Sequence, residues 1–275
     1  MTKHVGDIIK MPFHEYHAAA QEAARRAAVV LEDWRQKFQV REKGRFDLVT
    51  DADLAAQKVI QEYLSERFPE HGFLGEEDVG PKGRPSADAP PTWIVDPIDG
   101  TTNYVHDCPL YCISIGLQIA GELVVGVVLD PCRNEMFHAA RGTGTWLNER
   151  RIRTSTTGCL EEALIATGFP PDLRDNEQTL DWWRHFSFKA RSLRRTGSTA
   201  LNMAYVAAGR FDAYYAFDNH VWDVAGATVL IEEAGGRVTN VDGSVYDAYT
   251  PDALATNGPL HPLMVETFAA GFNQL

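Results

Sequence analysis

In the stretch WIVDPIDGTTNYVH, residues 93–106, an apolar run enters two acids, Asp96 and Asp99, with Pro97 between them and Gly100, Thr101 and Thr102 behind. A carboxylate in apolar surroundings is costly unless it is paired or takes up a proton. Acids at the end of a buried strand therefore call for a counter-charge. Further acids stand in similar places: Glu76 and Glu77 follow the apolar FLG, Asp223 lies in HVWDVAGATVL, and Asp53 falls in the first turn of a predicted helix. Hard divalent cations such as Mg²⁺ take oxygen ligands from carboxylates, carbonyls and hydroxyls. Asp96 and Asp99 flank a proline turn that lets both face one point, with the Ile98 carbonyl and the Thr101 hydroxyl beside them. Gly100 and Thr101 open a predicted helical turn, whose first amides lack intrahelical acceptors and suit an anion. Two cations ~3.5–4 Å apart can clamp a phosphate ester and activate water for in-line attack. Each piece also has a plainer reading. D-P-x-D-G is a common turn, GEED suits a solvated strand end, and Asp223 or the Thr50/Asp53 pair suits a helix cap. The whole set at its spacing is what points to metal-assisted phosphoryl chemistry.

The elements that must hold these acids are legible in the periodicity. One long Ala-rich helix is predicted over 13–38, then a short linker, REKGRF, a short extended piece at the start of DLVTDAD, and a second helix N-capped by Thr50 with Asp53 completing a capping box. PEHG ends that helix, and FLGEED is a brief strand ending in acids. The Pro- and Gly-rich segment 79–92 reads as an exposed loop. After the 93–99 strand, YCISIGLQIAGELVVGVVLDP reads as a hairpin turning at AGE, EMFHAA as a further strand, and RGTGTW as a turn. From about residue 155, strands at ALIATG, SLRRTG, FDAYYAF, GGRVTN and ALATN alternate with helices near 176–189, 198–208, 222–234 and 260–271. The expected division is 1–150, an α+β sub-domain carrying most of the acids, and 151–275, an α/β sub-domain carrying Asp223. No internal repeat is visible.

Composition narrows the partners. At 275 residues with 44% hydrophobic and 23% charged residues, the chain has enough apolar material for a sizeable core. Its formal charge of −12, without a basic block, argues against nucleic acid as a partner. Cys108, Cys112, Cys132 and Cys159 form no C-x-x-C pair or zinc spacing and read as reduced thiols. The N-terminal stretch lacks a continuous apolar signal core, and no segment approaches the ~20 apolar residues needed to cross a bilayer. A cytoplasmic protein with no membrane partner is expected.

DLVTDAD, GEED, WIVDPIDGTTNYVH, GSTALNMAYVAAGRFDAYY and WDVAGATVLIEEAGG, in that order over roughly residues 10–270, resemble the inositol monophosphatase family of Mg²⁺-dependent, lithium-sensitive phosphatases. The resemblance implies a five-layered αβαβα sandwich and a homodimer. It implies a first metal site from Glu76, Asp96, the Ile98 carbonyl and Thr101, a second from Asp96, Asp99 and Asp223, and a weaker third ion held through Glu76. It implies that Asp53 pairs with Thr101 to orient the nucleophilic water, that the Gly100 and Thr101 amides hold the phosphate, and that Asp99, Thr199, the residue at 216 and Asp223 surround the substrate. Two or three Mg²⁺ ions and a small phosphorylated substrate follow.

One position departs from that pattern. Inositol-specific members carry a glutamate seven residues before the aspartate of the W-D motif, where it grips substrate hydroxyls; here Ala216 stands there. Inositol-1-phosphate is the expected substrate, with fructose 1,6-bisphosphate, histidinol phosphate and phosphoadenosine phosphate left open. A regulatory or binding protein on the same frame is the alternative of another class. The run Lys189, Arg191, Arg194, Arg195 reads as a second-phosphate site or a solvated face, and Lys43 as a residue over the metal centre or a surface lysine. His106 and His220 read as structural or peripheral, because imidazole is a poor Mg²⁺ ligand. Trp93 and Trp222 are expected to pack beneath the acids.

Overall fold

The structure, a computed structural model, describes residues 13–35, 37–78, 84–86 and 88–273. Residues 1–12, and Gly80, Pro81 and Gly83 of the expected loop, lie outside them. Helix α1 (His14–Trp34) buries an alanine stripe, Ala19, Ala20, Ala23, Ala24 and Ala27, with Leu31. Its end falls at Trp34 rather than at 38. Helix α2 (Asp51–Arg67) starts as expected: the Thr50 side chain accepts from the Ala52 and Asp53 amides, and the Asp53 carboxylate accepts from the Thr50 amide. The extended piece expected before this helix is strand β2 (Asp47–Thr50), and the segment expected as a linker instead supplies β1 (Val40–Gly44), paired with β2 in a two-stranded hairpin. Every residue of β1 is exposed, so it has no apolar alternation for a sequence pattern to detect.

Strands β3 (Gly72–Gly75), β4 (Thr92–Asp99), β5 (Cys112–Ile119), β6 (Glu122–Asp130), β7 (Glu135–Ala140), β8 (Thr145–Leu147) and β9 (Arg150–Ile152) form one seven-stranded sheet in sequence order. β3 and β4 are parallel and the other neighbours antiparallel. The expected RGTGTW turn ends early, since its Thr145 and Trp146 already belong to β8, and the β8–β9 hairpin was not itself expected; three-residue strands carry too short an alternation to read. Between β4 and β5 lies the one-turn helix α3 (Thr101–Val105).

A second sheet has the order β11-β10-β12-β14-β13, from β10 (Leu164–Thr167), β11 (Ser192–Arg194), β12 (Ala213–Ala216), β13 (Arg237–Thr239) and β14 (Ala253–Thr256). Its helices are α4 (Gln178–Lys189), α5 (Thr199–Ala207), α6 (Val221–Glu233) and α7 (His261–Ala270). Three cores define the layers. α1 and α2 pack on the outer face of the seven-stranded sheet through Leu31, Ile60, Trp93 and Ile115. α5 and α6 lie between the sheets with Met203, Leu230, Phe137 and Tyr214. α4 and α7 cover the outer face of the second sheet with Trp182, Phe186, Tyr215 and Met264. This is the αβαβα sandwich that the resemblance implies, and Trp93 and Trp222 both sit in these cores.

The middle layer matters for the site. A Cβ on Gly126 would collide with the Gly226 carbonyl, and one on Gly116 would lie 2.8 Å from the Ala225 Cβ. These glycines let α6 lie directly against β5 and β6, so the first turn of α6, with Asp223, is carried toward the end of β4.

Candidate active site

Residues three apart on a regular strand point to opposite faces, because side chains alternate with period two. Asp96 pairs with Ser114 and Asp99 with Cys112, so β4 carries one residue more than β5 over this interval. Such a bulge re-aims side chains, and it turns both acids toward one side. The Asp96 carboxylate accepts from the Ile98 amide at 3.0 Å. The chain then turns at Gly100, whose φ of 98° is left-handed. A Cβ there would also press on the Leu110 and Gly197 carbonyl oxygens at 3.0 and 3.2 Å, so both conformation and space call for glycine.

Asp99 is held from the second half of the molecule. Its Oδ2 accepts from Ser198 Oγ at 2.7 Å, the Ala200 amide at 2.5 Å and, more weakly, Cys112 Sγ at 3.7 Å. Its Oδ1 accepts from the Thr199 amide at 3.1 Å. Asn103 crosses the same boundary, donating to the Thr196 and Leu110 carbonyls.

Glu76 and Glu77 follow β3 in a turn that is itself anchored. Asp78 accepts from the Gly75 amide and from Gln57 Nε2, and Gln57 Oε1 accepts from the Glu77 amide at 2.9 Å. Lys43, on the hairpin, reaches across with Nζ to Glu76 at 2.8 Å and Glu77 at 2.5 Å. Burial opposes its charge, but the two glutamates hold the ammonium above its ordinary range. Lys43 therefore sits over the acid cluster, one of the two readings left open for it.

Asp53 receives the Thr50 amide at 2.7 Å and Thr50 Oγ1 at 2.6 Å on Oδ2. Its Oδ1 lies 3.2 Å from Thr101 Oγ1, which also approaches the Ile98 carbonyl at 3.0 Å. The expected Asp53–Thr101 pair is thus present. Asp223, in the first turn of α6, accepts from the His220 amide at 2.8 Å. Thr199 Oγ1 meets the buried Tyr214 hydroxyl at 2.9 Å, and that hydroxyl donates to Asn219 Oδ1 at 3.0 Å. Ala216 ends β12, buried and paired with Ala253. His106 and His220 are exposed, and His220 stacks on Trp222. Arg191, Arg194 and Arg195 are exposed, with Arg195 over the Phe169 ring.

The electrostatics of these acids share one cause. Burial pushes Asp96 well above the usual carboxylate range, and the charges of Glu76, Asp99 and Asp223 push it further. Burial raises Asp223 too, reinforced by Asp99. Asp99 is raised to about 6 by burial, against the pull of its Ser198 and amide donors. Asp53 is raised to about 6 by burial, against its Thr50 bonds. Glu77 rises to about 7 through burial and the neighbouring Glu76.

Among the described residues, no group of three His, Cys, Asp or Glu side chains stands as a ready-made cage for an ion. The donors nevertheless fit a hard dication. Glu76, Asp96, Asp99 and Asp223 repel one another across a common space, and carboxylate, hydroxyl and carbonyl oxygens are what Mg²⁺ accepts. A cluster whose charges disfavour each other calls for positive charge, which a dication would supply.

Ser198, Gln57 and Asp78 escaped the reading of the sequence. Ser198 carries a visible signal as the N-cap of α5, but its bond to Asp99 is not local. No helix among the described residues is long and apolar enough to cross a membrane.

Residues 13–271 match the model of the inositol monophosphatase family. The chain is 41% identical over 239 residues to the inositol-1-monophosphatase of Synechocystis sp., a match covering 86% of this chain and 82% of that protein. It is 42% identical over 210 residues to the Nus factor SuhB of Pseudomonas aeruginosa, covering 74% and 76% respectively. The solved inositol monophosphatase of Anabaena (Nostoc) sp. is similar with a TM-score of 0.85 at 36% identity, covering 94% of this chain and 97% of that one.

Proposed function

The chain belongs to the inositol monophosphatase family, and from that premise we propose that it is a Mg²⁺-dependent phosphomonoesterase that hydrolyses inositol-1-phosphate. The observation that carries this reading is the mutual approach of Glu76, Asp96, Asp99 and Asp223 beside the bonded Thr101–Asp53 pair. In this reading Glu76, Asp96, the Ile98 carbonyl, Asp99, Thr101 and Asp223 hold two or three ions. Bound Mg²⁺ supplies positive charge for the phosphate and the departing alkoxide, and lowers the pKa of water. Gly100 and Thr101 seat the phosphate on the amides that open α3. Thr101 takes a proton from the attacking water while passing its own to Asp53, whose pKa of about 6 suits a base near neutral pH. Thr199 and Asp223 border the alcohol, with Asp99 shared between metal and substrate.

Residues 1–150 act in this reading as the sub-domain of metal chemistry, and 151–275 as the sub-domain of Asp223 and substrate choice. Ala216 offers no hydrogen-bond acceptor at its end of β12, which keeps fructose 1,6-bisphosphate and other small sugar, histidinol or nucleotide phosphates in view. A cytoplasmic, lithium-sensitive homodimer with no nucleic-acid or membrane partner completes the proposal. A second reading, a regulatory role through a protein partner, is favoured by the similarity to a protein named Nus factor SuhB; the retained oxygen donors support catalysis ahead of it. The test is phosphate release from inositol-1-phosphate, fructose 1,6-bisphosphate, histidinol phosphate and phosphoadenosine phosphate, with and without Mg²⁺. Mg²⁺-dependent release, fastest from inositol-1-phosphate, is expected. No release from any of them sinks the enzymatic reading.

A further inference from the structure

Ser198 occupies a position that neither helix capping nor core packing fully explains. It is buried, 2% exposed, and its hydroxyl works in two directions at once. Oγ donates to Asp99 Oδ2 at 2.7 Å and accepts from the Leu201 amide at 3.3 Å, capping α5. A capping Asp accepts but cannot donate when ionised. A capping Gly does neither with a side chain. A small hydroxyl is therefore the group that can both cap α5 and donate to the carboxylate in this space.

The consequence lies in which oxygen of Asp99 is engaged. Oδ2 already receives Ser198 Oγ, the Ala200 amide and the longer Cys112 contact. Oδ1 receives the Thr199 amide. The two in-plane lone pairs of Oδ2 are taken by the two strong donors, and Oδ1 keeps one. We propose that Ser198 is a positioning residue for the metal chemistry: its hydroxyl fixes the rotation of the Asp99 carboxylate, so that Oδ1 is the oxygen presented to the cation. The bond joins residues 99 apart in sequence, so it also sets the distance between β4, in the seven-stranded sheet, and the start of α5.

This inference rests on the reading of Asp99 as a cation ligand, and its test separates the two. Mg²⁺ binding to the full chain is measured by titration calorimetry for wild type, Ser198→Gly, Ser198→Thr and Asp99→Asn, with the melting temperature of each cation-free protein. Glycine is an adequate cap, so Ser198→Gly removes the donor while leaving the start of α5 capped, and its melting temperature reads what the lost bond to Asp99 costs the fold. Loss of a group that orients a ligand typically weakens metal binding about 10–100-fold, and Ser198→Gly is expected to fall in that range. Ser198→Thr, which restores the hydroxyl, should return binding to within about threefold, well short of that loss. The Mg²⁺ concentration for half-maximal activity should rise in Ser198→Gly and return in Ser198→Thr. If Asp99→Asn loses binding and Ser198→Gly binds like wild type, Ser198 has no positioning role. If Ser198→Thr binds as weakly as Ser198→Gly while melting normally, the hydroxyl is not the cause and the inference fails. If Asp99→Asn itself binds like wild type, the assignment of Asp99 as a ligand fails first.

Discussion

Two strand-to-helix junctions face each other across the site, and they are built on different terms. At the first, β4 runs into α3 through Asp96, Pro97, Ile98, Asp99 and Gly100, and almost every group has a stated partner or a repelling neighbour. At the second, β12 runs into α6 through Ala216, Phe217, Asp218, Asn219 and His220 before reaching Asp223. There Ala216 and Phe217 are buried and apolar, Asp218 is exposed, and a single carboxylate, Asp223, faces the cluster. The first junction is over-supplied with negative charge and tightly bonded; the second carries one acid on a helix end packed closely through glycines. The contrast suggests a division of work. The first junction has little freedom to vary, since each oxygen has a role in the geometry. The second can change its apolar residues without disturbing the acids, and it is there that the proposed function puts substrate choice.

The sharpest way to break this comparison is at Asp96. Asp96→Asn removes one donor shared by both implied metal sites, and activity on inositol-1-phosphate should fall by about 10³-fold, the equivalent of several kcal/mol of lost charge stabilisation. Circular dichroism should show the fold retained. A variant with activity near wild type would remove the first junction from the chemistry.

A smaller effect separates the junctions by pH. Without cations, the folded pKa values of Asp53 and Asp99, about 6, and of Glu77, about 7, lie above those of the unfolded chain. The folded state then binds protons more tightly, so the penalty is absent below the unfolded values and fully present above the folded ones. Melting temperature in chelator should fall as pH rises from about 5 to about 7.5, and saturating Mg²⁺ should flatten that fall. His17 and His261, lowered to about 4 chiefly by burial, act in the opposite sense in part of this window. The comparison is therefore wild type against Asp96→Asn, which carries less repulsion and should show the shallower slope. Equal slopes would mean that the first junction stores no repulsion.

The mildest change tests the second junction. Ala216→Glu places an acceptor at the end of β12, and should raise the preference for inositol-1-phosphate over fructose 1,6-bisphosphate by about 10-fold in kcat/KM, within the range of a single polar contact. Some loss of melting temperature is expected, because the position is buried and beside Gly168 and Tyr214. An unchanged substrate ranking would remove position 216 from substrate choice.

Much of this was readable from local rules. Thr50 and Asp53 form the capping box that their spacing announces, and the helices and strands after residue 155 fall close to their apolar periodicity. What escaped had no local signature. The β1–β2 hairpin is exposed along β1, and its Lys43 is fixed by Glu76 and Glu77 rather than by its neighbours in the chain. Gln57 and Asp78 look like ordinary polar residues until they are seen clamping the turn that carries the glutamates. Lys43 had two readings of equal standing, and a contact between residues 33 apart decided between them.

By itself the sequence determined the inventory: which acids exist, that they end apolar strands or begin helices, that glycine and threonine follow them, and that position 216 lacks a carboxylate. These follow from residue type and short-range spacing, which act over a few residues. Tertiary structure decided the orientation. The bulge that turns Asp96 and Asp99 to one side exists only in register with β5. The close seat of α6 depends on Gly116, Gly126 and Gly226 meeting across layers. The engaged oxygen of Asp99 is chosen by donors about a hundred residues away. Carboxylates repel whenever they are buried together, so their arrangement had to be set by contacts that no local segment of the chain contains.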